Sequence, residues 1–247
     1  LGRGLSARLV LGLRGPRCGV LGAEFSGEVE RVGMGVTAFG VGDRVIGYPG
    51  VRMGAHAESV CIAEEGPVVR VPDTLSHEEA AGIAFGGLTA LYFLRDRGRV
   101  RPGHRVLVNG ASGAVGTAAV QLGVHFGAEV TGVCSAANAE LVRSLGAARV
   151  IDYAKEDVTP AGAGYDIIMD TVGTLSFRRC RRALGPRGVC LMVDAGLPQF
   201  GWMLWTGMVG GRRAVAGVAP ERAEDLREVM RIVGAGGLRP LVDRVYP

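Results

Sequence analysis

A glycine-rich turn between a strand-like run and a helix-like run constrains the fold of this chain more than any other feature. The strand-like run covers 105–109, and glycines follow at positions 110, 113 and 116 in the spacing G-x-x-G-x-x-G. Missing side chains let the backbone turn tightly and let the next helix pack closely on the strand. The amino end of that helix offers free N–H groups and a partial positive charge to an anion. The turn therefore predicts a parallel α/β sheet that receives the pyrophosphate of a dinucleotide.

An alternation of strand-like and helix-like segments surrounds this turn. We expect strands at six aliphatic segments: Arg105–Asn109, Glu129–Cys134, Val150–Tyr153, Asp166–Asp170, Gly188–Val193 and Ala214–Val218. Helical segments lie between or after them: Thr117–Phe126, Asn138–Leu145, Leu175–Leu184, a looser one near 200–210, and Arg222–Val233. This pattern predicts the α/β, doubly wound parallel sheet of six strands known as the Rossmann fold, with right-handed crossovers.

The first 75 residues or so have a different character, with short valine-containing runs separated by glycines. Segments at 20–33, 41–47, 54–62 and 68–72 predict short antiparallel strands with tight turns. Ser76 and Glu79 then have the spacing of a capping box, which predicts the start of a helix. We therefore expect two domains, a β-rich one over 1–80 and the α/β one over 81–247.

Charge and hydropathy exclude several classes of protein. The net charge of +4 is carried almost wholly by arginine, and Lys155 is the only lysine. The arginines are scattered apart from a group at 178–182, so we interpret the charge as a compositional bias and not as a nucleic-acid surface. The apolar run Phe200–Gly211 is too short to span a bilayer, which predicts a buried or subunit-facing helix and no membrane partner.

The cysteines and the start of the chain indicate a reducing compartment. No pair among Cys18, Cys61, Cys134, Cys180 and Cys190 has C-x-x-C spacing. The chain also lacks the charged-then-apolar pattern of a secretory leader. We therefore expect a cytoplasmic location and no disulfide or zinc ribbon.

The end of the second α/β strand predicts which dinucleotide binds. NAD-binding sheets usually carry Asp or Glu there, about 20 residues after the glycine turn, to bind the ribose 2′-hydroxyl. This chain has Cys134-Ser135-Ala-Ala-Asn138 at that point, without an acid. Ser135 and Asn138 could donate hydrogen bonds to a 2′-phosphate, which favours NADP, or could simply cap the following helix. Arg143 lies further along that helix.

Eight stretches occur along the chain in a recognisable order: Leu21–Gly33, Val41–Val45, Gly87–Ala90, Val108–Gly116, Gly127–Val130, Leu145–Ala147, Val150–Tyr153 and Asp170–Gly173. Together they resemble the medium-chain dehydrogenase/reductase superfamily, in its zinc-independent, quinone oxidoreductase-like branch. The resemblance implies a partial GroES-like β-barrel domain on the substrate side and a Rossmann domain that holds a nicotinamide cofactor. It also implies truncation at both ends, so we expect a fragment that binds NADPH weakly and turns over poorly.

The resemblance implies cofactor-binding residues at three places along the dinucleotide. The phosphate cradle would be Ser112, Gly113, Ala114, Val115 and Gly116, and the 2′-phosphate would meet Ser135, Asn138 and Tyr153. The nicotinamide end would meet Thr89, Thr171, Val172, Gly173, Ala195 and Gly196. Simpler roles stay open, a strand-edge aromatic for Tyr153 and a helix-surface threonine for Thr89. Asp170 and Asp194 could equally be turn residues, so no catalytic residue is assigned.

The resemblance also predicts chemistry without zinc. Zinc-dependent relatives carry Gly-His-Glu where this chain has Gly22-Ala23-Glu24, and Ala23 has no ligand atom. His56 and His77 have no neighbouring ligand set, so we interpret both as structural. Without a metal to polarise a plain alcohol, the expected reaction is hydride delivery from NADPH to a quinone, an enone or a related carbonyl.

Two alternative functions and one mode of assembly also fit the sequence. The first alternative is the enoyl reductase module of a polyketide synthase, against which Asn109-Gly110-Ala111 and Asp170–Gly173 argue. The second is a truncated, non-enzymatic nucleotide-binding homologue. The sixth strand lies at the edge of the expected sheet, and such edges often pair across a two-fold axis, so a homodimer is possible.

Overall fold

The computed structural model of this protein describes residues 19–194 and 196–246. Its chain divides into two compact units. Of the described residues, the first comprises 19–85, 221–230 and 242–246, and the second comprises 86–194, 196–220 and 231–241.

The first unit contains a small antiparallel sheet of three strands, β1 (Phe25–Glu28), β2 (Arg44–Gly47) and β3 (Val68–Arg70), in the order β1-β2-β3. Val45 and Ile46 of the central strand are buried, which explains why these short runs pair despite their many glycines. Gly47 lies opposite Phe25, whose ring would overlap any Cβ at that position. Helix α1 (His77–Ala81) begins with the expected capping box: Glu79 N–H donates to Ser76 Oγ (3.2 Å), and Ser76 N–H donates to the Glu79 carboxylate (2.9 Å).

The strand expected at 54–62 is wrong. Within the described residues, the backbone bonds between this segment and a distant one run from Ala55 N–H to Gly22 O (3.1 Å) and from His56 N–H to Leu21 O (2.7 Å). Residues 54–62 are otherwise assigned to bends and irregular backbone. Alternating apolar residues alone do not make a strand, because a strand also needs a neighbour that pairs along its whole length.

The second unit contains the six-stranded parallel sheet that the sequence predicts. Its strands are β4 (Arg105–Asn109), β5 (Glu129–Cys134), β6 (Arg149–Asp152), β7 (Tyr165–Asp170), β8 (Leu184–Met192) and β9 (Arg213–Ala216). Their order is β6-β5-β4-β7-β8-β9, which is the doubly wound order with β9 at one edge. The first two strands have the expected bounds, whereas β8 begins four residues earlier than predicted, at Leu184 instead of Gly188.

The remaining α-helices of the described residues lie before, between and after these strands along the chain. They are α2 (Ala84–Leu91), which continues into a π-helical stretch at Tyr92–Arg97, then α3 (Ala114–His125), α4 (Ala139–Ser144), α5 (Phe177–Ala183), α6 (Leu197–Val209) and α7 (Ala223–Gly234). One cluster of buried side chains joins the sheet to α5 and includes Leu107, Ile168, Phe177 and Cys190. Among the described residues, no helix is both long enough and apolar enough to cross a membrane.

Helix α6 lies where the sequence predicts a buried or subunit-facing helix. Trp202 packs on Phe177 with ring centroids 5.4 Å apart, and Thr206 is buried. Leu204 is 67% exposed and Met208 is 80% exposed. The helix is therefore buried on one side only, because Trp202 and Thr206 face the unit while Leu204 and Met208 face outward.

Candidate functional site

The centre of the sheet creates the crevice in which doubly wound proteins bind ligands. Strands β4 and β7 are neighbours, and the chain leaves them toward opposite edges of the sheet. Such a switch point opens a crevice at the carboxyl ends of the strands. Asn109 ends β4, Asp170 ends β7, and the two residues are paired in register. The loops that follow them, 110–116 and 171–175, are therefore brought together at one place.

The glycine turn after β4 is packed so tightly that two of its glycines are required by the fold. Gly110 has φ +81°, and a Cβ there would overlap the side chain of Val172. A Cβ at Gly116 would overlap the carbonyl oxygen of Gly110 and lie 2.8 Å from Ala111 Cα. Both positions therefore need glycine for internal reasons, whatever the turn binds.

Gly113 is different, because nothing inside the protein requires a glycine there. Its φ is −83°, and a Cβ would meet only the Gly110 carbonyl oxygen, at an ordinary 3.5 Å. It is the N-cap of α3, and the first intrahelical bond runs from Thr117 N–H to Gly113 O (2.8 Å). The N–H groups of Ala114, Val115 and Gly116 precede that bond. The space above Gly113 and these N–H groups fit a pyrophosphate at a helix amino end.

The residues expected at the 2′-phosphate lie together beside this turn. Asn138 Nδ2 donates to Ser112 Oγ (3.1 Å), which joins the glycine turn to the end of β5. Ser135 and Asn138 both stand at N-cap positions, and neither makes a side-chain cap hydrogen bond. Tyr153 N–H donates to Cys134 O (3.3 Å), and the side chain of Tyr153 is 60% exposed. Asn138 thus bonds Ser112 and, like the ring of Tyr153, is exposed at this corner.

Two charged side chains influence the Cys134 thiol at the end of β5. Burial raises the pKa of the Cys134 thiol, the charge of Asp152 raises it further, and the charge of Arg143 lowers it. The carboxylate of Asp152 is already engaged, since it accepts from Ala154 N–H (3.1 Å) and lies 3.9 Å from Lys155 Nζ.

Asp170 holds the loop after β7 in place. Its carboxylate accepts from the N–H groups of Val172 (3.2 Å), Gly173 (3.2 Å) and Leu175 (2.8 Å). It also accepts from Asn109 Nδ2 (2.8 Å) and is only 1% exposed. This is the turn role that the sequence left open: the buried carboxylate is committed to four hydrogen bonds inside the protein.

The loop expected at the nicotinamide end continues from this anchor. Thr171 Oγ1 donates to Asn109 O (2.8 Å), and Val172 is 49% exposed. Gly173 has φ +77° and lies beside Asp194, whose carboxylate oxygen would be 3.1 Å from a Cβ. Gly196 is the N-cap of α6, and its N–H donates to Gln199 Oε1 (3.1 Å). Ala195, predicted at this end, lies outside the described residues.

Thr89 is buried in α2, at 5% exposure, and not on the surface of that helix as the simpler alternative supposed. Gly86 lies one turn earlier on the same face, and a Cβ there would be 2.6 Å from Ala114 O. Helix α2 therefore touches the first turn of α3. This role of Gly86 was not predicted, although two glycines inside a helical segment were a signal, because each costs about 1 kcal/mol relative to alanine.

The donor set for zinc is absent from the described part of the first unit. Ala23 offers only its backbone, with its carbonyl accepting from Gly50 N–H (3.2 Å), and His77 Nδ1 is bonded to Ser26 Oγ (2.9 Å). Within residues 19–194 and 196–246, no three His, Cys, Asp or Glu side chains lie together as a metal site would require. Burial raises the pKa of Glu24, and a hydrogen bond from Phe85 N–H (2.7 Å) opposes that rise. These residues do not fit a zinc ion.

Comparison with known proteins connects this geometry to a family. Residues 8–73 match the model of the alcohol dehydrogenase GroES-like domain, and residues 145–247 match the model of a zinc-binding dehydrogenase domain. A chloroplast envelope quinone oxidoreductase homolog of Arabidopsis thaliana is 30% identical over 235 residues, covering 91% of this chain and 71% of that protein. The chain belongs to the medium-chain dehydrogenase/reductase superfamily. Its β-rich first unit and its parallel sheet are accordingly a GroES-like and a Rossmann-like part.

Other relatives match shorter parts of the chain. A quinone oxidoreductase-like protein 2 homolog of Nematostella vectensis is 35% identical over 181 residues, 70% of this chain and 49% of that protein. The pikromycin polyketide synthase component PikAII of Streptomyces venezuelae is 36% identical over 195 residues, 75% of this chain and 5% of that protein. The chain thus spans about half the length of the Nematostella relative and a small part of the synthase.

Solved structures agree with the fold. The quinone oxidoreductase of Coxiella burnetii superposes with a TM-score of 0.85 at 28% identity, covering 99% of this chain and 76% of that one. The Escherichia coli quinone oxidoreductase complexed with NADPH superposes with a TM-score of 0.74 at 25% identity, covering 90% of this chain and 72% of that one.

Proposed function

We propose that this medium-chain dehydrogenase/reductase is an NADPH-dependent oxidoreductase that delivers hydride to a quinone, an enone or a related carbonyl without zinc. The observation that carries the choice of NADP is the corner formed by Ser112, Ser135 and Asn138. It contains no carboxylate of its own, its side chains are free of capping duty, and Asn138 reaches the glycine turn at 3.1 Å. An NADPH complex of an E. coli relative supports the same cofactor.

The chain's own residues would bind and orient this cofactor in three places. The N–H groups of Ala114, Val115 and Gly116 would bind the pyrophosphate above Gly113. Ser135, Asn138 and the exposed ring of Tyr153 would meet the 2′-phosphate. Thr89, Thr171, Val172, Gly173, Ala195 and Gly196 would flank the nicotinamide ribose and ring. When bound, the nicotinamide would supply the hydride.

We do not expect Asp170, at the end of β7, to supply the proton that the product needs. Asp170 uses its carboxylate for four hydrogen bonds inside the protein. We therefore propose that this enzyme acts by positioning cofactor and acceptor, and that solvent protonates the product. We assign no side chain as the general acid.

The proposal also assigns a role to each domain and predicts how two copies of the chain would assemble. Residues 1–80 would serve the substrate side and residues 81–247 the cofactor. Strand β9 is an edge strand of the sheet, and a second copy paired across it would form a homodimer.

A second candidate function is that of an enoyl reductase module in a polyketide synthase. The similarity to PikAII, 36% over 75% of this chain, favours it. The residues Asn109-Gly110-Ala111 at the glycine turn still argue for the quinone oxidoreductase-like branch. The two candidates share the cofactor and differ in the acceptor.

Turnover with matched acceptors tests the proposal and separates the candidates. We expect NADPH oxidation, followed by its absorbance, with a para-quinone or a simple enone, and slower oxidation with an enoyl thioester. A faster reaction with the thioester would favour the reductase module. Tight binding of NADPH without oxidation by any acceptor would favour a non-enzymatic homologue and overturn the proposal.

A further inference from the structure

A basic cleft of about 780 Å³ lies in the second unit and serves no part of the proposed reaction. Four arginines line it, Arg178, Arg181 and Arg182 from α5 and Arg212 from the loop before β9. This volume is that of an ordinary small-molecule site. From the sequence alone, the arginine group at 178–182 is interpreted as part of a compositional bias. In the structure, three of these arginines line one cleft.

The charge in this cleft is not neutralised by the protein. Within the described ranges 19–194 and 196–246, no carboxylate pairs with Arg178, Arg181 or Arg182. Their neighbour Arg179 faces elsewhere and pairs with Asp157 at 3.3 Å. Guanidinium groups that converge without a counter-charge repel one another, and they bind phosphate oxygens through paired N–H donors. Several guanidinium groups around one space, without a carboxylate partner, favour a ligand that carries several negative charges.

Aromatic side chains form the rest of the wall. Trp202 packs on Phe177 and lies under the guanidinium of Arg178, whose Cζ is 5.7 Å from its ring centroid. Trp205 stands edge-on to Trp202 with centroids 5.6 Å apart, and it is 42% exposed. An exposed indole face beside a phosphate-binding group is suited to stacking a flat ring.

The topology separates this cleft from the cofactor crevice. The crevice lies at the carboxyl ends of the strands, whereas Arg181 and Arg182 end α5 just before β8 begins at Leu184. Arg212 immediately precedes β9 and donates its Nε–H to Leu184 O (2.9 Å). Most of the positive charge is therefore at the amino ends of the strands, whereas the cofactor crevice is at their carboxyl ends.

We propose that this cleft is a second binding site, for a nucleoside polyphosphate. The phosphates would lie between Arg181, Arg182 and Arg212, and the base would stack on the exposed face of Trp205. The site is independent of the hydride chemistry, so the failure of one proposal leaves the other standing.

Intrinsic fluorescence tests this directly, because Trp202 and Trp205 are the only tryptophans of the chain and both line the cleft. With excitation at the red edge of the indole band, we expect ADP to quench the emission saturably. We expect adenosine, which lacks phosphate, and inorganic pyrophosphate, which lacks a ring, each to bind at least tenfold more weakly. Absence of saturable quenching up to about 1 mM ADP, or equal affinity for pyrophosphate, would overturn the proposal.

Paired double variants locate the site. R181Q/R182Q should weaken ADP binding at least tenfold, while R179Q/R187Q, which removes the same charge from residues outside the cleft, should leave it within twofold. The single variants R181Q and R182Q serve if the double variant does not fold, and each should weaken binding several-fold. Equal losses in the two double variants would mean that net charge and not this cleft attracts the nucleotide, which would overturn the proposal.

Discussion

Two neighbouring glycines of the turn after β4 should respond to the same substitution in opposite ways. At Gly116 an added Cβ would overlap the Gly110 carbonyl oxygen and lie 2.8 Å from Ala111 Cα, so the backbone itself must move. Overpacking of this kind costs about 1–3 kcal/mol or more. For a chain of this size we expect G116A to lower Tm by roughly 5–10 °C.

The same methyl group at Gly113 has room inside the protein. Its nearest neighbour would be 3.5 Å away, and φ is −83°, which any residue adopts. Alanine is a poorer N-cap than glycine, but it also restricts the unfolded chain, so we expect G113A to unfold within about 1 kcal/mol of the parent. The methyl group would stand where the pyrophosphate approaches the N–H groups of α3, so NADPH should bind at least tenfold more weakly.

Two measurements on the same samples decide this prediction. Circular dichroism melts give the stability of each variant, and the enhancement of NADPH fluorescence on binding gives the affinity. We expect loss of stability in G116A, and loss of affinity with stability retained in G113A. The reasoning would be refuted by a G113A protein that binds NADPH like the parent, or by a G116A protein that melts with the parent.

Three further predictions address other residues of the two units. N138D should weaken NADPH binding about tenfold and leave NADH binding nearly unchanged, because a carboxylate would face the 2′-phosphate. N138A, which adds no charge, should weaken NADPH binding less. Equal losses of affinity for NADPH and NADH would contradict the assignment. D170A should lower the free energy of unfolding, measured in urea, by about 3 kcal/mol, because four hydrogen bonds lose their acceptor. The control D194N changes an exposed carboxylate and should alter that free energy by less than about 0.5 kcal/mol. Burial, with the charges of Glu221 and Glu24, raises the pKa of Tyr48 from 10.0 to about 12, so the folded state holds this proton more tightly than the unfolded state. The contribution of Tyr48 to the free energy of unfolding should be intact below pH 10 and fall by roughly 1–2 kcal/mol as the pH rises to 12, after allowance for the half-exposed ring. Y48F should remove that loss. An unchanged dependence of stability on pH in Y48F would exclude Tyr48 as its cause.

The parallel sheet could be predicted from sequence because each strand carries its own signal. Arg105–Asn109 and Glu129–Cys134 are aliphatic runs closed by a glycine turn or a polar segment, and the structure gives them the same bounds. The order of the strands follows from the alternation with helices and from the rule of right-handed crossovers. The β-rich unit lacked such rules, and residues 54–62 failed as a strand because pairing partners distant in sequence are not encoded locally.

The candidate site divides in the same way. The glycine turn and the acid-free end of β5 are continuous in sequence, so their residues could be named in advance. The hydrogen bond from Asn138 to Ser112 and the contact of Gly86 with Ala114 join separate segments, and only the folded chain shows them. The role of Asp170 needed the structure too, since the same carboxylate at a strand end can anchor a loop or transfer a proton.

Selection of NADPH by the corner of Ser112, Ser135 and Asn138 is the central claim, and comparative cofactor titration tests it most directly. The chain would be titrated with NADPH and with NADH under identical salt, with cofactor fluorescence as the readout. We predict saturable binding of both, with NADPH at least tenfold tighter, a difference of about 1.4 kcal/mol. Equal affinity, or tighter binding of NADH, would contradict it.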